Sequence, residues 1–343
     1  MKKVLIIRLS ALGDVIFTIP LANTLKDNGY EVSWLVSEKG YQLLKDNSCV
    51  DNVIFVPIEK WKKNKNKLQN FREYLDIIRK LRAENFDIAI DNQMLWKSFR
   101  FMKFCGAKRR IIARDARELS YFGGNEIIPP IKEGYNLHVI KTYLKYAKHL
   151  GLNTDEIKVT LPSIKEEVNQ KVNELLKDLD NSKKTVIVAP ATTWKDKHWN
   201  KDNFQQVVEN LKDKVNLVFT GMAQDNELVE YISKGVGINL CGKTNLEELR
   251  AVFERGDLLI SLDSGSTHLA WATQKPKILS IFCATPKSFY APLGDENKYV
   301  ALQNEVCKPC HKRKCPLKSN RNKCTLSPSP EFVLENVYKL LDI

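Results

Sequence analysis

Short runs of aliphatic and β-branched residues alternate with longer amphipathic stretches along this chain, and the whole pattern occurs twice. Strands that alternate with helices form parallel sheets, because each parallel connection needs a long crossover that is usually helical. The predicted strands are residues 4–7, 32–36, 53–56 and 88–90 in the first half, and 185–189, 216–220, 258–261 and 277–282 in the second. The expected fold is therefore α/β, with two Rossmann-like, doubly wound domains that face a cleft.

A polar stretch over 163–184, with a turn at 180–182, separates the two halves. We expect an N-terminal domain over 1–165, a C-terminal domain over 166–329, and a last helix over 330–343 that crosses back to the first domain. A chain of 343 residues with 43% hydrophobic residues is long enough for two cores.

The charge balance permits several kinds of partner without selecting one. The chain has 54 basic and 41 acidic residues, a formal charge of +13, which suits nucleic acid, an anionic membrane or an acidic substrate. A biased genome composition, with Lys and Asn abundant throughout, explains it as well. No apolar run approaches the roughly 20 residues of a membrane span, and no signal-peptide pattern follows Met1, so we expect a cytoplasmic protein.

Ligands of open parallel sheets bind at the carboxyl ends of strands, so the segments after each strand are the candidate sites. After the first strand, Gly13 permits a tight turn or close ligand approach, and Asp14 opens a helix as its cap or as a general base. The segment 91–98 includes Lys97, which with Arg114 either meets an acidic acceptor or is a solvated surface charge.

Two strand-end segments of the second half have residues that suit phosphate. Thr192, Thr193 and Lys197 can bind it through hydrogen bonds and charge, although a solvated polar turn explains them too. In the segment 261–268 a helix is predicted from about Thr267, and its exposed N–H groups would favour an anion. His268 inside that helix is interpreted as a binding residue rather than a catalyst.

Four of the eight cysteines are clustered within 18 residues near the end of the chain, at Cys307, Cys310, Cys315 and Cys324. Four thiolates can hold a structural zinc ion, with reduced thiols or a disulfide as the alternatives. Together with the basic charge, the cluster also raises a second class of function, a zinc-containing nucleic-acid-binding protein. No docking motif for nucleic acid accompanies it.

Taken together in order, the motifs resemble the bacterial ADP-heptose:lipopolysaccharide heptosyltransferases, the ninth family of glycosyltransferases. The resemblance covers roughly 300 residues, as expected from ordered motifs rather than from one short match. It rests on the opening Ile-Arg-Leu-Ser-Ala-Leu-Gly-Asp-Val, Asp91-x-Gln93-x-x-x-Lys97-Ser98, Thr192-Thr193-x-x-x-Lys197-His198-Trp199, Gly242-Lys243-Thr244 with Leu246, and Asp263-Ser264-Gly265 with His268.

The resemblance implies a GT-B fold and an inverting, metal-independent transfer of heptose from ADP-L-glycero-D-manno-heptose to the inner core of lipopolysaccharide, on Kdo2-lipid A or a first heptose. A relative that uses another nucleotide sugar is the alternative. The expected partners are the ADP-heptose donor, the lipopolysaccharide-core acceptor and an anionic inner-membrane surface, without nucleic acid. The lysine-rich segment 60–67 would supply the membrane contact, so the expected location is cytoplasmic and peripheral to the inner membrane.

The resemblance also implies roles for individual residues and no required cofactor; the structural zinc considered above is an alternative that rests on the cysteine cluster alone. Asp14 is the expected base and Lys197 the expected partner of the leaving diphosphate. The expected donor contacts are Thr192, Thr193, Asp225, Asp263, Ser264, Gly265, Ser266 and His268. The expected acceptor contacts are Ser10, Gly13, Gln93, Lys97 and Arg114.

Overall fold

The computed structural model describes residues 1–132 and 134–343, with Lys195 described by its backbone alone. The described chain divides into two compact units, Met1–Ser163 and Ile164–Ile343. The division falls within two residues of the predicted domain boundary.

The first unit is built on a parallel sheet of six described strands in the order β3-β2-β1-β4-β5-β6. The order reverses between β1 and β4, which is where ligands of such sheets bind. The four residues from Val4 to Ile7 are completely buried, because a parallel strand is covered on both faces. The bounds are β1 Lys2–Ile7, β2 Tyr30–Ser37, β3 Asn52–Val56, β4 Ile88–Asp91, β5 Arg109–Ala113 and β6 Glu126–Ile128.

Helices cover this sheet through apolar faces that recur every three or four residues. The fourth helix buries Tyr74, Ile77, Ile78 and Leu81, whose spacing places them on one helix face. The first helix packs against the sixth. The bounds are α1 Leu12–Asp27, α2 Glu38–Leu44, α3 Ile58–Lys63, α4 Lys67–Ala83, α5 Trp96–Phe104 and α6 Val139–His149.

The second unit repeats the architecture with described strands in the order β12-β11-β10-β7-β8-β9, all of them parallel. Its order reverses between β7 and β10. The strand bounds are β7 Thr185–Ala189, β8 Asn216–Phe219, β9 Ile238–Asn239, β10 Leu258–Leu262, β11 Lys277–Phe282 and β12 Tyr299–Gln303. The helix bounds are α7 Glu166–Leu175, α8 Lys201–Leu211, α9 Asn226–Ser233, α10 Leu246–Arg255, α11 Gly265–Thr273, α12 Lys287–Tyr290 and α13 Pro330–Leu341.

The last helix packs within the second unit, against α8 and β11. Its apolar residues Val333, Val337 and Leu340 belong to the core of that unit. The apolar face of α13 is thus already buried there, against the expectation of a helix that crosses back to the first domain. In the described part of the chain, no helix is long and apolar enough to cross a membrane.

Candidate active site

In the first unit, the loop after β1 is held in place by the segment after β4. The side-chain carbonyl of Gln93 accepts hydrogen bonds from the backbone N–H groups of Leu9 and Ser10, at 3.1 and 3.0 Å. Gln93 is buried, so its side chain positions this loop, and its contact with an acceptor stays a prediction. Gly13 lies in the first turn of α1 without a positive φ, which makes it a helical glycine and not the predicted turn residue.

Asp14 lies at the carboxyl edge of the first sheet in an ion pair with Arg8. The guanidinium Nη2 is 2.5 Å from Oδ2 of Asp14, and the hydroxyl of Tyr143 donates to Oδ1 at 3.1 Å. The N–H of Ala11 also donates to Oδ2, so Asp14 partly closes the first turn of α1 as a capping residue would. The Asp14 side chain is one-third exposed (33%), whereas that of Arg8 is buried.

The pKa of Asp14 is lowered by these contacts. Burial by itself would raise the pKa, but the charge and hydrogen bond of Arg8 outweigh burial, and Ala11 and Tyr143 add to the effect. Asp14 is therefore an ionised, solvent-accessible carboxylate at neutral pH. Such a group accepts a proton from a hydroxyl that becomes acidic as it reacts.

The first turn of α5 brings a lysine beside this carboxylate. The Nζ of Lys97 donates to Oγ of Ser10 at 2.5 Å, and burial followed by the charge of Arg8 lowers the pKa of Lys97. Lys132 is close enough to feel the charges of Arg8 and Asp14. Arg114, predicted as an acceptor contact, follows β5 with an exposed side chain. The surroundings of Asp14 are thus cationic, which favours an acidic ligand.

Asp91 is a completely buried carboxylate at the end of β4. It accepts hydrogen bonds from the N–H groups of Gln93 and Met94, each at 2.9 Å, and from the hydroxyl of Ser98 at 2.8 Å. Burial raises the pKa of Asp91 to about 6 in spite of these donors. Its contacts fix the turn into α5, and thereby the position of Lys97.

In the second unit, the predicted phosphate-binding lysine is paired with the predicted donor contact. The Nζ of Lys197 lies 2.5 Å from Oδ2 of Asp263, which also accepts from the Thr285 hydroxyl at 2.6 Å. The Nε2 of His268 is 3.4 Å from Oδ1. Burial alone would raise the pKa of Asp263, but the hydrogen bond from His268 and the charge of Lys197 hold it well below its usual range.

Two aromatic rings confine the ammonium group of Lys197. It lies 4.6 Å from the centroid of Trp194 and 5.8 Å from that of Tyr290. Rings at these distances attract a cation through their electron-rich faces. Asp263 is buried, so a ligand would meet Lys197 more readily than the carboxylate behind it.

The N-terminus of α11 lies in the adjoining loop, directly after Asp263. The helix begins at Gly265, two residues before the predicted start, with Ser264 as N-cap and no side-chain cap bond. Ser264, Gly265 and Ser266 are partly exposed, and the first turn has no acidic residue. Free N–H groups at such a terminus favour an anion.

The remaining predicted donor contacts lie at the same edge of the second sheet. Thr192 and Thr193 follow β7, where the Thr192 hydroxyl lies 3.5 Å from the backbone carbonyl of Asp263 and Thr193 is exposed. Asp225 follows β8 and accepts a hydrogen bond from the N–H of Met222 at 2.8 Å, so its carboxylate shapes the turn into α9.

The four clustered cysteines line one cavity of about 210 Å³ together with Asp196. All four are free thiols, and Asp196 anchors the segment by accepting from the N–H of Cys315. Among the described residues, no three His, Cys, Asp or Glu side chains are arranged to hold a metal ion. The structural zinc site stays a prediction.

Sequence reasoning assigned no role to four residues that complete these clusters, Arg8, Tyr143, Trp194 and Thr285. Arg8 and Trp194 lie in segments that the strand-end rule selects. Roles in these segments were assigned to Asp14 and Lys197, whose side chains are the more obvious candidates. Thr285 follows β11 at the same sheet edge, so the strand-end rule could have found it. Tyr143 lies on α6, 129 residues after Asp14, and no local pattern points to it.

Comparison with known proteins identifies the family that this chain resembles. The model of glycosyltransferase family 9 (heptosyltransferase) matches residues 74–320. Lipopolysaccharide core heptosyltransferase OpsX of Haemophilus influenzae is 24% identical over 315 residues, 89% of this chain and 85% of that protein. Lipopolysaccharide heptosyltransferase 1 of Campylobacter coli is 26% identical over 325 residues, 90% of this chain and 92% of that protein.

Solved structures agree with the fold. A family 9 glycosyl transferase from Veillonella parvula superposes with a TM-score of 0.83 at 21% identity, covering 100% of this chain and 98% of that one. The E. coli heptosyltransferase WaaC with ADP superposes with a TM-score of 0.71 at 22% identity, covering 97% and 99%. The GT-B fold predicted from the sequence is confirmed by these matches. The chain belongs to glycosyltransferase family 9, the heptosyltransferase family, and is a glycosyltransferase.

Proposed function

We propose that this glycosyltransferase transfers heptose from ADP-L-glycero-D-manno-heptose to the inner core of lipopolysaccharide, with inversion and without a metal ion. The curated relatives are lipopolysaccharide heptosyltransferases, and one similar structure is a heptosyltransferase with ADP-2-deoxy-2-fluoro heptose. The acceptor is Kdo2-lipid A or its first heptose. Both carry acidic groups, which the cations around Asp14 would attract.

Asp14 takes the proton from the acceptor hydroxyl as that oxygen attacks the anomeric carbon. Attack from the face opposite to the departing ADP inverts the configuration at that carbon. Because Arg8 stabilises the carboxylate, Asp14 is a weak base toward a resting hydroxyl. The proton therefore moves late, once the new bond to carbon has made the hydroxyl acidic.

Departure of ADP is assisted from the second unit. Lys197, the hydroxyls of Thr192 and Thr193, and the N–H groups at the start of α11 stabilise the negative charge that develops on the diphosphate. Lys197 must then exchange part of its contact with Asp263 for the phosphate. A cation and a helix N-terminus provide the charge stabilisation that a metal ion supplies in other enzymes.

The enzyme acts in the cytoplasm at the surface of the inner membrane, because the proposed acceptor is anchored in lipid. The observation that carries the proposal is the ionised, accessible Asp14 at the strand-order reversal of the first sheet, where such folds bind ligands.

A donor panel tests the proposal. Purified protein is incubated with ADP-heptose, or with UDP- and GDP-sugars, and with either Kdo2-lipid A or its heptosylated product, and the anomeric configuration of the new linkage is read by NMR. We expect transfer from ADP-heptose with inversion. Preference for another nucleotide sugar would favour the alternative donor, and retention of configuration would exclude the mechanism.

A further inference from the structure

The carboxyl edge of the first sheet displays large apolar side chains to solvent close to the candidate acceptor site. Leu68 and Phe71 lie near the start of α4, Trp96 begins α5, and Leu119 lies in the loop after β5. Their exposed fractions are 59%, 55%, 53% and 60%. Isolated exposed apolar residues are ordinary, but a group of them near one site marks an interaction surface.

Contacts made by residues of α5 link the surroundings of Phe71, Trp96 and Leu119, and Leu68 lies three residues before Phe71 on α4. The ring of Phe71 stacks on that of Tyr74 at 6.3 Å, and the guanidinium of Arg100, from α5, lies 5.2 Å from the Tyr74 centroid. The carboxylate of Glu118 accepts from the N–H of Trp96 at 2.8 Å, which brings Leu119 beside the start of α5.

The backbone of the loop that exposes Leu119 is strained. Glu118 and Leu119 both have positive φ, 56° and 57°, a conformation that is unfavourable for side chains of this size. A strained backbone that holds an apolar side chain in solvent is unexpected unless that side chain has a partner.

Basic residues surround the apolar ones. Lys65, Lys67, Arg72 and Arg100 are exposed, and among the described residues none of the four forms an ion pair. Within the lysine-rich segment, Lys60 and Lys62 are paired with Glu73 and Glu59, whereas Lys63 is exposed and, among the described residues, forms no ion pair either. The charge of the segment 60–67 that is available to a partner thus lies from Lys63 onward, next to the start of α4.

The start of α4 breaks the usual rule for charge. A helix N-terminus favours acidic residues, yet the first turn of α4 has none and carries Lys67 instead. At the start of α5, by contrast, the carboxylate of Glu118 already accepts from the N–H of Trp96. The start of α4 is therefore the terminus that favours an anionic partner.

We propose that Leu68, Phe71, Trp96 and Leu119, with Lys65, Lys67, Arg72 and Arg100, form an interfacial surface that inserts into an anionic lipid layer. Apolar and aromatic side chains interleaved with cations are the composition of surfaces that lie in the headgroup region. The proposal rests on the proposed function in one respect, the lipid anchor of the acceptor. Since Lys97 follows Trp96 and reaches Ser10, the inserted surface adjoins the acceptor site.

Vesicle binding tests the surface directly. The probe is vesicles of phosphatidylethanolamine and phosphatidylglycerol, with sedimentation as the readout for the full chain. We expect Phe71→Ser/Leu119→Asn to lower the vesicle partition coefficient at least tenfold, about what loss of roughly 60 Å² of inserted apolar surface produces. Asn keeps the positive φ of Leu119 without strain. Lys65→Gln/Lys67→Gln/Arg72→Gln should lower binding about fivefold per charge and reduce its salt dependence.

A matched control pair is Ile127→Ser/Phe332→Ser, which removes two comparably exposed apolar side chains from β6 and α13. Equal binding by wild type and Phe71→Ser/Leu119→Asn, or an equal loss in the control pair, would overturn the proposal. The proposal would also be overturned if the wild type were a dimer in analytical ultracentrifugation and Phe71→Ser/Leu119→Asn dissociated that dimer but still bound vesicles. A second copy of the chain would then be what covers the surface.

Transfer assays separate failure of the surface from failure of the proposed function. With the acceptor embedded in vesicles, Phe71→Ser/Leu119→Asn should transfer at least tenfold more slowly, but with a delipidated, water-soluble acceptor it should equal wild type. If no heptose is transferred from ADP-heptose to either acceptor, the proposed function is contradicted. Sedimentation with vesicles still tests whether the surface binds lipid.

Discussion

The Nζ of Lys197 and the Oδ2 of Asp263 lie 2.5 Å apart, in a setting where the lysine side chain is 14% and the aspartate side chain 4% exposed. Three donors converge on this carboxylate, because Thr285 and His268 contact it as well. A buried ion pair of this kind is costly to break from one side. The residue proposed to assist ADP departure is therefore also part of the structure of the second unit.

Replacement of Lys197 should affect both activity and stability. We expect Lys197→Ala to lower the transfer rate by about 10²-fold or more, because a charge partner of the leaving diphosphate is lost. It should also lower the free energy of unfolding by about 3 kcal/mol, because the buried Asp263 loses its countercharge. Steady-state kinetics and urea unfolding measure the two effects on the same protein.

The double variant Lys197→Met/Asp263→Asn distinguishes the two roles. Removing both charges should restore most of the stability, since a buried pair can be replaced by uncharged groups at little net cost. Activity should stay low. A stable double variant with near-normal activity would leave Lys197 with a structural role only.

Chelation should leave transfer intact. Charge stabilisation is assigned to Lys197 and the N-terminus of α11, so EDTA should not change the initial rate measured with ADP-heptose. Metal content, measured by mass spectrometry before and after chelation, shows whether Cys307 and its three neighbours hold zinc. A rate that falls within mixing time and returns with Mg²⁺ would contradict the mechanism, whereas a slow loss that follows zinc release would indicate unfolding of the cysteine segment.

Most of the fold could be predicted because buried parallel strands are continuous apolar runs, as in Val4–Ile7 and Lys277–Phe282. Four strands were not predicted, and three of them lack this signal. The strand β5 begins with Arg109 and Arg110, and β6 and β9 have three and two residues. Such short strands are defined by pairing with a neighbour rather than by their own composition. The fourth, β12, has the apolar run Tyr299 to Leu302 and was missed in spite of it.

The site could be predicted only where chemistry follows a strand directly. Asp14, Lys197 and Asp263 all lie in segments that the strand-end rule singles out. Their partners depend on packing between distant elements. Tyr143 reaches Asp14 because α6 packs on α1, and the burial that makes Gln93 and Asp91 structural follows from the loops that close over them.

Asp91 should make stability depend on pH in an unusual direction. The folded-state pKa of about 6 lies above the ordinary value near 4, so the folded protein binds the extra proton between these values. The contribution of Asp91 to stability, about 3 kcal/mol, is therefore fully present below pH 4 and is lost as the pH rises through 6. The Asp91→Asn variant removes this titration. The difference in unfolding free energy between wild type and Asp91→Asn, measured by urea from pH 4 to 7, should fall with pH, and a constant difference would contradict the prediction.

Asp14→Asn should abolish transfer while donor binding stays nearly intact. Asn retains an oxygen for the N–H of Ala11 but cannot take the acceptor's proton, and loss of a general base lowers rates by about 10²- to 10⁴-fold. The variant should lose more stability than replacement of a simple helix cap would cause, because the buried guanidinium of Arg8 loses its countercharge. A decrease in stability on the order of 1–3 kcal/mol is expected.

Tyr143→Phe provides the matched control for this variant, because it removes one hydrogen bond from Asp14 and keeps the carboxylate. Since Tyr143 helps to lower the pKa of Asp14, its loss should move the acid limb of the pH–rate profile to higher pH by less than about one unit, with the rate at neutral pH nearly unchanged. Donor affinity is measured by calorimetry on both variants, at a temperature where each is folded. If Asp14→Asn retains substantial turnover, or if the acid limb does not move in Tyr143→Phe, Asp14 is a capping residue and the base lies elsewhere. If the acid limb of the pH–rate profile moves when a contact of Asp14 is removed, this carboxylate is the group that must be ionised for transfer.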